Sequence, residues 1–171
     1  MQYEIISFSG VWYLHDQNVI HGDIKPQNVL LSNDKETVKI CDFGVSRIKA
    51  SKKATMTCTA RHTGTEAMAA PEILLDRVRC NRATDIWSLA ATLVELYVQK
   101  EPWNMAAAGD MVQGEYIRAL MREKFEPHNL YLLEVVDGDV HRFLKRMFKY
   151  EPAQRPTARD VCAFFKEEED E

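Results

Sequence analysis

The 171-residue chain lacks most of the features that would place it in a specialised class. Its four cysteines, Cys41, Cys58, Cys80 and Cys162, form no C-x-x-C pair and keep no regular spacing, which argues against a disulfide framework or a zinc site and fits a reducing compartment. Long apolar runs are missing too. Ile5-Ile6 is too short for a signal-peptide core, and the segment from Ile86 to Val98 is broken by Ser88, Thr92 and Glu95 and falls short of the roughly 20 residues a membrane span requires. These absences set the expectation of a cytoplasmic protein, with the nucleus as a second location, that has no membrane partner. No internal repeat or low-complexity linker occurs, and the seven glycines are spread singly, so nothing marks a domain boundary.

What is present describes a folded domain. An apolar content of 46% in a chain of this length is enough for one buried core. The net charge of −4 belongs to the end of the chain, where Glu167, Glu168, Glu169, Asp170 and Glu171 carry more negative charge than the whole protein does. Residues 167–171 therefore read as a solvated acidic tail and residues 1–166 as the domain. Lys49, Lys52 and Lys53 read as a solvated loop face; without interleaved aromatics they do not point to nucleic acid.

Hydrophobic spacing supplies a coarse map. Tyr3, Ile6, Val11, Tyr13 and Leu14 fit a helix over 2–16, and Val29-Leu30-Leu31 and Val38-Lys39-Ile40-Cys41, around Ser32-Asn33-Asp34-Lys35, read as a small hairpin. From Asp42 to Glu72 the chain is polar and aperiodic, as a long functional loop would be. Ile86, Leu89, Ala90, Leu93, Leu96 and Tyr97 predict a helix over 82–98 with so broad an apolar face that it should lie at the centre of the core. Weaker helical patterns follow at 111–122 and 139–148, and Thr157 with Asp160 has the spacing of a capping box at the start of a last helix.

Three strings carry chemistry: His21-Gly22-Asp23-Ile24-Lys25-Pro26-Gln27-Asn28, then Asp42-Phe43-Gly44, then Ala70-Pro71-Glu72. In order and spacing they resemble the catalytic loop, metal-binding turn and activation-segment end of eukaryotic protein kinases, and Lys25-Pro26-Gln27-Asn28 is of the serine/threonine type. The resemblance implies a mainly α fold, a truncated form of the family's α+β fold, with a small β-hairpin next to the catalytic loop. It also implies ATP and Mg2+ as cofactors and a protein substrate offering a Ser or Thr hydroxyl. Under it Asp23 is the catalytic carboxylate and Lys25 offsets charge on the transferred phosphate. Asn28 and Asp42 hold the metal, Leu30 forms the floor under the adenine, and Cys41 lines the same pocket. Structural support is implied for His21 and Phe43, which pack together, for Thr65 in the substrate-docking loop, for Asp85 bonded to the catalytic-loop backbone, and for Arg155 paired with Glu72.

The chain also departs from that family. Gly22 stands where many kinases have an arginine that binds a phosphorylated activation segment, Met68 and Ala69 replace residues common before A-P-E, and Ala90 stands where glycine is frequent. The first lysine is Lys25, and no two glycines are spaced as G-x-G-x-x-G, so the phosphate-holding parts of a small N-terminal lobe have no counterpart. The expectation is a kinase C-terminal lobe over residues 1–166 that by itself binds ATP–magnesium poorly and turns over negligibly. The alternative is a pseudokinase-like binding module that docks on a kinase small lobe, another kinase or a kinase substrate.

Overall fold

The computed structural model describes residues 2–33, 38–48, 66–76 and 80–167. Its axis is helix α3, Arg82–Val98, in which every residue from Thr84 to Val94 is buried. Its start is fixed by a reciprocal cap: Asn81 Oδ1 accepts from Ala83 N at 2.8 Å and Thr84 N at 3.2 Å, while Thr84 Oγ1 accepts from Asn81 N at 3.1 Å. The helix ends where Gln99 turns left-handed, at φ +57°. The breadth of apolar residues that marks this segment in the sequence is the consequence of its being covered on all sides.

Helix α1, Gln2–Asp16, runs against the last helix and crosses the strand that contains Ile40. At Gly10 an added Cβ would lie 3.3 Å from Ile40 Cδ1, so the absence of a side chain permits that close crossing. After a left-handed turn at Asn18 (φ +59°) the chain enters the two-residue strand β1, Val19–Ile20. Strands β2, Val29–Leu31, and β3, Val38–Ile40, form the expected hairpin, with Val29 opposite Ile40 and Leu31 opposite Val38. Strand β4, Arg47–Ile48, returns antiparallel to β1. The two pairs together bracket two segments: residues 21–28 lie between β1 and β2, and residues 41–46 lie between β3 and β4. The short ladders thus hold the His21 loop and the Asp42 turn side by side.

The remaining helices build the floor. α2 is Pro71–Leu74, buried throughout, and α4 is Gln113–Arg122. α5 is Leu133–Val136, and α6, Gly138–Met147, is capped by Asp137, whose Oδ1 accepts from Asp139 N at 3.0 Å and Val140 N at 2.9 Å. α7 is Ala158–Glu167. The Thr157–Asp160 box closes its first turn, with Thr157 N donating to Asp160 Oδ2 at 2.8 Å and Asp160 N to Thr157 Oγ1 at 3.2 Å. No described helix is long and apolar enough to cross a membrane. Cys41 and Cys162 are free thiols, and Cys80 is buried.

One buried ion pair ties these parts together. Arg155 Nη1 and Nη2 donate to Glu72 Oε1 and Oε2, both at 2.8 Å, while Nη1 also reaches Ala83 O at 2.8 Å and Nε reaches Lys149 O at 2.7 Å. The guanidinium carbon lies 5.1 Å from the Trp87 ring centroid. Every donor that burial strips of water has an acceptor, so the geometry is the kind in which a buried pair holds position. Arg155→Leu leaves the Glu72 carboxylate buried and unpaired and should lower unfolding free energy by about 3–5 kcal/mol in urea titration. A change below about 1 kcal/mol would contradict this role.

The Thr157–Asp160 box gives a pH signature. The Asp160 carboxyl is held below its ordinary value of 3.8 chiefly by the Thr157 side-chain and backbone donors. A depressed carboxylate stabilises the fold above its unfolded pKa, and that contribution fades as pH drops through the lower folded value. Asp160→Asn should therefore be less stable than wild type at pH 7, with the gap closing below about pH 4 in paired melts. A gap independent of pH would contradict the assignment.

Candidate active site

The loop from His21 to Asn28 is hung from the core by one carboxylate. Asp85, 1% exposed in the first turn of α3, accepts the backbone N–H of His21 (Oδ2, 2.9 Å) and of Gly22 (Oδ1, 2.8 Å). Its Oδ2 also meets His15 Nε2 at 2.8 Å. Gly22 takes φ +80°, a left-handed conformation that costs other L-residues about 1–2 kcal/mol, so glycine here removes strain at the turn into Asp23. His21 is fully buried; its Nε2 lies 3.0 Å from Cys41 O and its ring meets Phe43 edge-on at 5.1 Å. Ser46 Oγ donates to His21 O at 3.1 Å, so the Asp42 turn is tied to the loop at both of its ends.

Asp23, Lys25 and Asn28 come together at the loop's open side. Lys25 Nζ stands 2.7 Å from Asp23 Oδ2, and Asn28 Nδ2 donates to Asp23 O at 2.8 Å and to Asp23 Oδ2 at 3.3 Å. Asn28 is buried in the 3-10 turn Pro26–Asn28, and its carbonyl accepts from Cys41 N at 2.9 Å, which brings Asp42 next to the cluster by one residue. Asp42 is exposed and left-handed (φ +63°), a conformation that a non-glycine residue holds only where the surroundings enforce it. Its Oδ1 accepts from Gly44 N at 3.2 Å. Leu30 and Phe43 are about half exposed and Cys41 is partly exposed.

Because Asn28 commits its amide nitrogen to Asp23, its amide oxygen faces away from that carboxylate. An amide oxygen and a carboxylate are donors of the hard type that suits magnesium, which keeps most of its waters and shares substrate phosphates. No group of three or more His, Cys, Asp or Glu side chains among the described residues is placed to hold a metal unaided. The residues present thus fit a nucleotide-borne cation rather than a caged one.

Of the other candidates, Glu72 and Arg155 form the buried pair described above, and Thr65 lies outside the described residues. So do Lys49, Lys52 and Lys53. Sequence reasoning passed over His15, whose place on the periodic α1 gave no hint of a partner 70 positions on. It also passed over Glu66, whose carboxylate meets Arg118 Nη1 at 3.1 Å on α4. Gly114 makes room there: an added Cβ would fall 2.1 Å from Glu66 Oε2. Long-range polar pairs of this kind leave no local pattern.

Comparison with known proteins adds an independent line. The family model for the protein kinase domain matches residues 3–164. The chain belongs to the protein kinase family. It is 29% identical over 153 residues to human serine/threonine-protein kinase Nek5, an alignment covering 89% of this chain and 20% of that protein. Human mitogen-activated protein kinase kinase kinase 5 is 32% identical over 153 residues, covering 89% of this chain and 10% of its own. An Aurora kinase of Eremothecium gossypii is 29% identical over 151 residues, covering 87% and 36%. The chain therefore spans 10 to 36% of the length of these relatives.

The Asp85 anchor can be tested directly. Asp85→Asn puts an N–H group against donors that need acceptors, and it should destabilise the chain by about 3 kcal/mol or more. Hydrogen exchange of the His21 and Gly22 amides should accelerate beyond the global change. Unaltered exchange at those two amides would remove the anchor from the account.

Proposed function

We propose that this chain is the catalytic lobe of a serine/threonine protein kinase, the C-terminal lobe over residues 1–166, which passes the γ-phosphate of ATP to Ser or Thr hydroxyls of protein substrates. The observation that carries this reading is the joining of Asp23, Lys25 and Asn28 in one bonded cluster on a loop suspended from Asp85. Phosphoryl transfer asks chiefly for positioning and for neutralised charge. In the proposed reaction the hydroxyl oxygen bonds to the γ-phosphorus, the bond to the β–γ bridging oxygen breaks, and ADP leaves. Asp23 orients the hydroxyl and takes its proton, and Lys25 shields the transferring phosphate. Asn28 and Asp42 would hold Mg2+, which offsets charge on the phosphates when nucleotide is bound. Leu30 lies under the adenine with Cys41 beside it. Cytoplasm or nucleus is the location this role fits.

No lysine before Lys25 and no G-x-G-x-x-G string lies in these 171 residues, so the isolated chain lacks the groups that would grip the ATP phosphates from a small lobe. Alone it should bind ATP–magnesium more weakly than micromolar in calorimetric titration and show negligible turnover. A second reading rests on Leu30 (51% exposed), Leu31 (48%) and Phe43 (48%), an uncovered apolar area beside the loop that suits a kinase small lobe or another kinase as partner. In it the chain is a pseudokinase-like binding module. The test joins the chain to the small lobe of a serine/threonine kinase and follows radiolabelled γ-phosphate into a Ser/Thr peptide. Catalysis predicts transfer that falls by about 10²–10⁴-fold in Asp23→Asn. Transfer unchanged by Asp23→Asn, or none at all from a fusion that binds nucleotide, would favour the binding module.

A further inference from the structure

A cavity of about 410 Å3 opens between the last turns of α1, the first turn of α3 and the loop entering α7. None of Asp23, Lys25, Asn28 or Asp42 lines it, so it is separate from the proposed phosphoryl-transfer site. Its size falls within the range of small-molecule sites, about 300–1,000 Å3. The mouth carries Trp12, Asp16, Arg82 and Arg159, all exposed, while Ile86 and Ala158 form a buried apolar floor.

Two arginines and a lysine stand at that mouth. Arg82 Nη2 is fixed by His15 O and, at 3.1 Å, by Asn18 Oδ1; both acceptors are neutral, so these bonds orient the guanidinium without cancelling its charge. Arg159 is close enough to the Asp160 carboxylate to help lower its pKa. Lys166 Nζ stands 6.0 Å from the Trp12 ring centroid. Among the described residues the acids beside these three cations are Asp16 and Asp160, and the Arg155 guanidinium in the wall is already matched by Glu72. An arginine oriented by neutral acceptors, beside a half-exposed indole and an apolar floor, suits an oxyanion attached to a flat apolar body.

We propose that this cavity binds an anionic small molecule of that class, its carboxylate or phosphate meeting Arg82 and Arg159 and its body lying along Trp12 over Ile86 and Ala158. The site does not depend on the kinase reading. It does have a route to the loop: His15 forms part of the wall, and its Nε2 bonds the same Asp85 carboxylate that carries the His21 and Gly22 amides. An occupant that holds Arg82 also holds the His15 carbonyl, and with it that anchor.

The test uses the full 171-residue chain and calorimetric titration with 2-naphthyl phosphate, 2-naphthol and inorganic phosphate. The expected result is a dissociation constant below about 1 mM for naphthyl phosphate, and at least tenfold weaker binding of the neutral alcohol and of free phosphate. Arg159→Glu, an exposed change whose fold is checked by circular dichroism, should weaken naphthyl phosphate by about tenfold or more. Ala153→Trp, at the cavity edge, should block it. Hydrogen exchange with ligand present should show protection at 82–86 and 152–159, extending to His21 and Gly22. No binding of naphthyl phosphate, equal binding of naphthol, or indifference to both substitutions would overturn the site. Protection that stops at the cavity wall would keep the site and sever its link to the loop.

Discussion

A single buried carboxylate governs the arrangement. Asp85 is almost wholly removed from water, and an ion in that position is costly unless donors surround it. Here two successive backbone amides and a histidine nitrogen do so. Neither amide can leave without exposing the carboxylate to an apolar neighbourhood, so the start of the His21 loop has one position available to it. The side chains that follow, Asp23, Lys25 and Asn28, inherit that precision, which is what a reaction governed by positioning requires.

The first turn of α3 serves two segments at once. Thr84 Oγ1 donates to Glu72 Oε1 at 3.2 Å, and Ala83 O receives Arg155, so the end of the 66–74 segment is held one residue away from the carboxylate that holds the His21 loop. Asn81 in turn sets where the helix begins. About three consecutive turns of buried side chains behind this point leave α3 no freedom to shift, because protein interiors are packed too closely to slide. The small β1–β4 and β2–β3 ladders then fix the Asp42 turn against the loop. A rigid helix start, two polar anchors and two short ladders together define the candidate site.

Much of this was legible in the chain. The span of α3 follows from its broad apolar periodicity, the hairpin from β-branched runs about a turn, and the start of α7 from Thr157 and Asp160 at capping distance. The chemistry-bearing strings were legible because spacing within one loop is local. What escaped is non-local or too short to show a period. β1 and β4 are two residues each, and α2 begins inside the stretch that looks aperiodic, because a four-residue helix buried on every side leaves no polar face to reveal it. His15, Glu66, Arg82 and Arg118 look like ordinary polar positions until the fold brings each to its partner. The α1–α3–α7 cavity likewise exists only in three dimensions.

The central claim is that Asn28 and Asp42, beside Asp23, form the metal and phosphate end of a nucleotide site. Nuclear magnetic resonance of the 171-residue chain in millimolar Mn2+–ATP tests it most directly, since manganese takes the same oxygen donors as magnesium and broadens nearby signals. The account predicts selective broadening of the amides of residues 22–29 and 41–44, reversed by excess Mg2+–ATP. Broadening centred elsewhere, or none at these residues while the fold is intact, would contradict it.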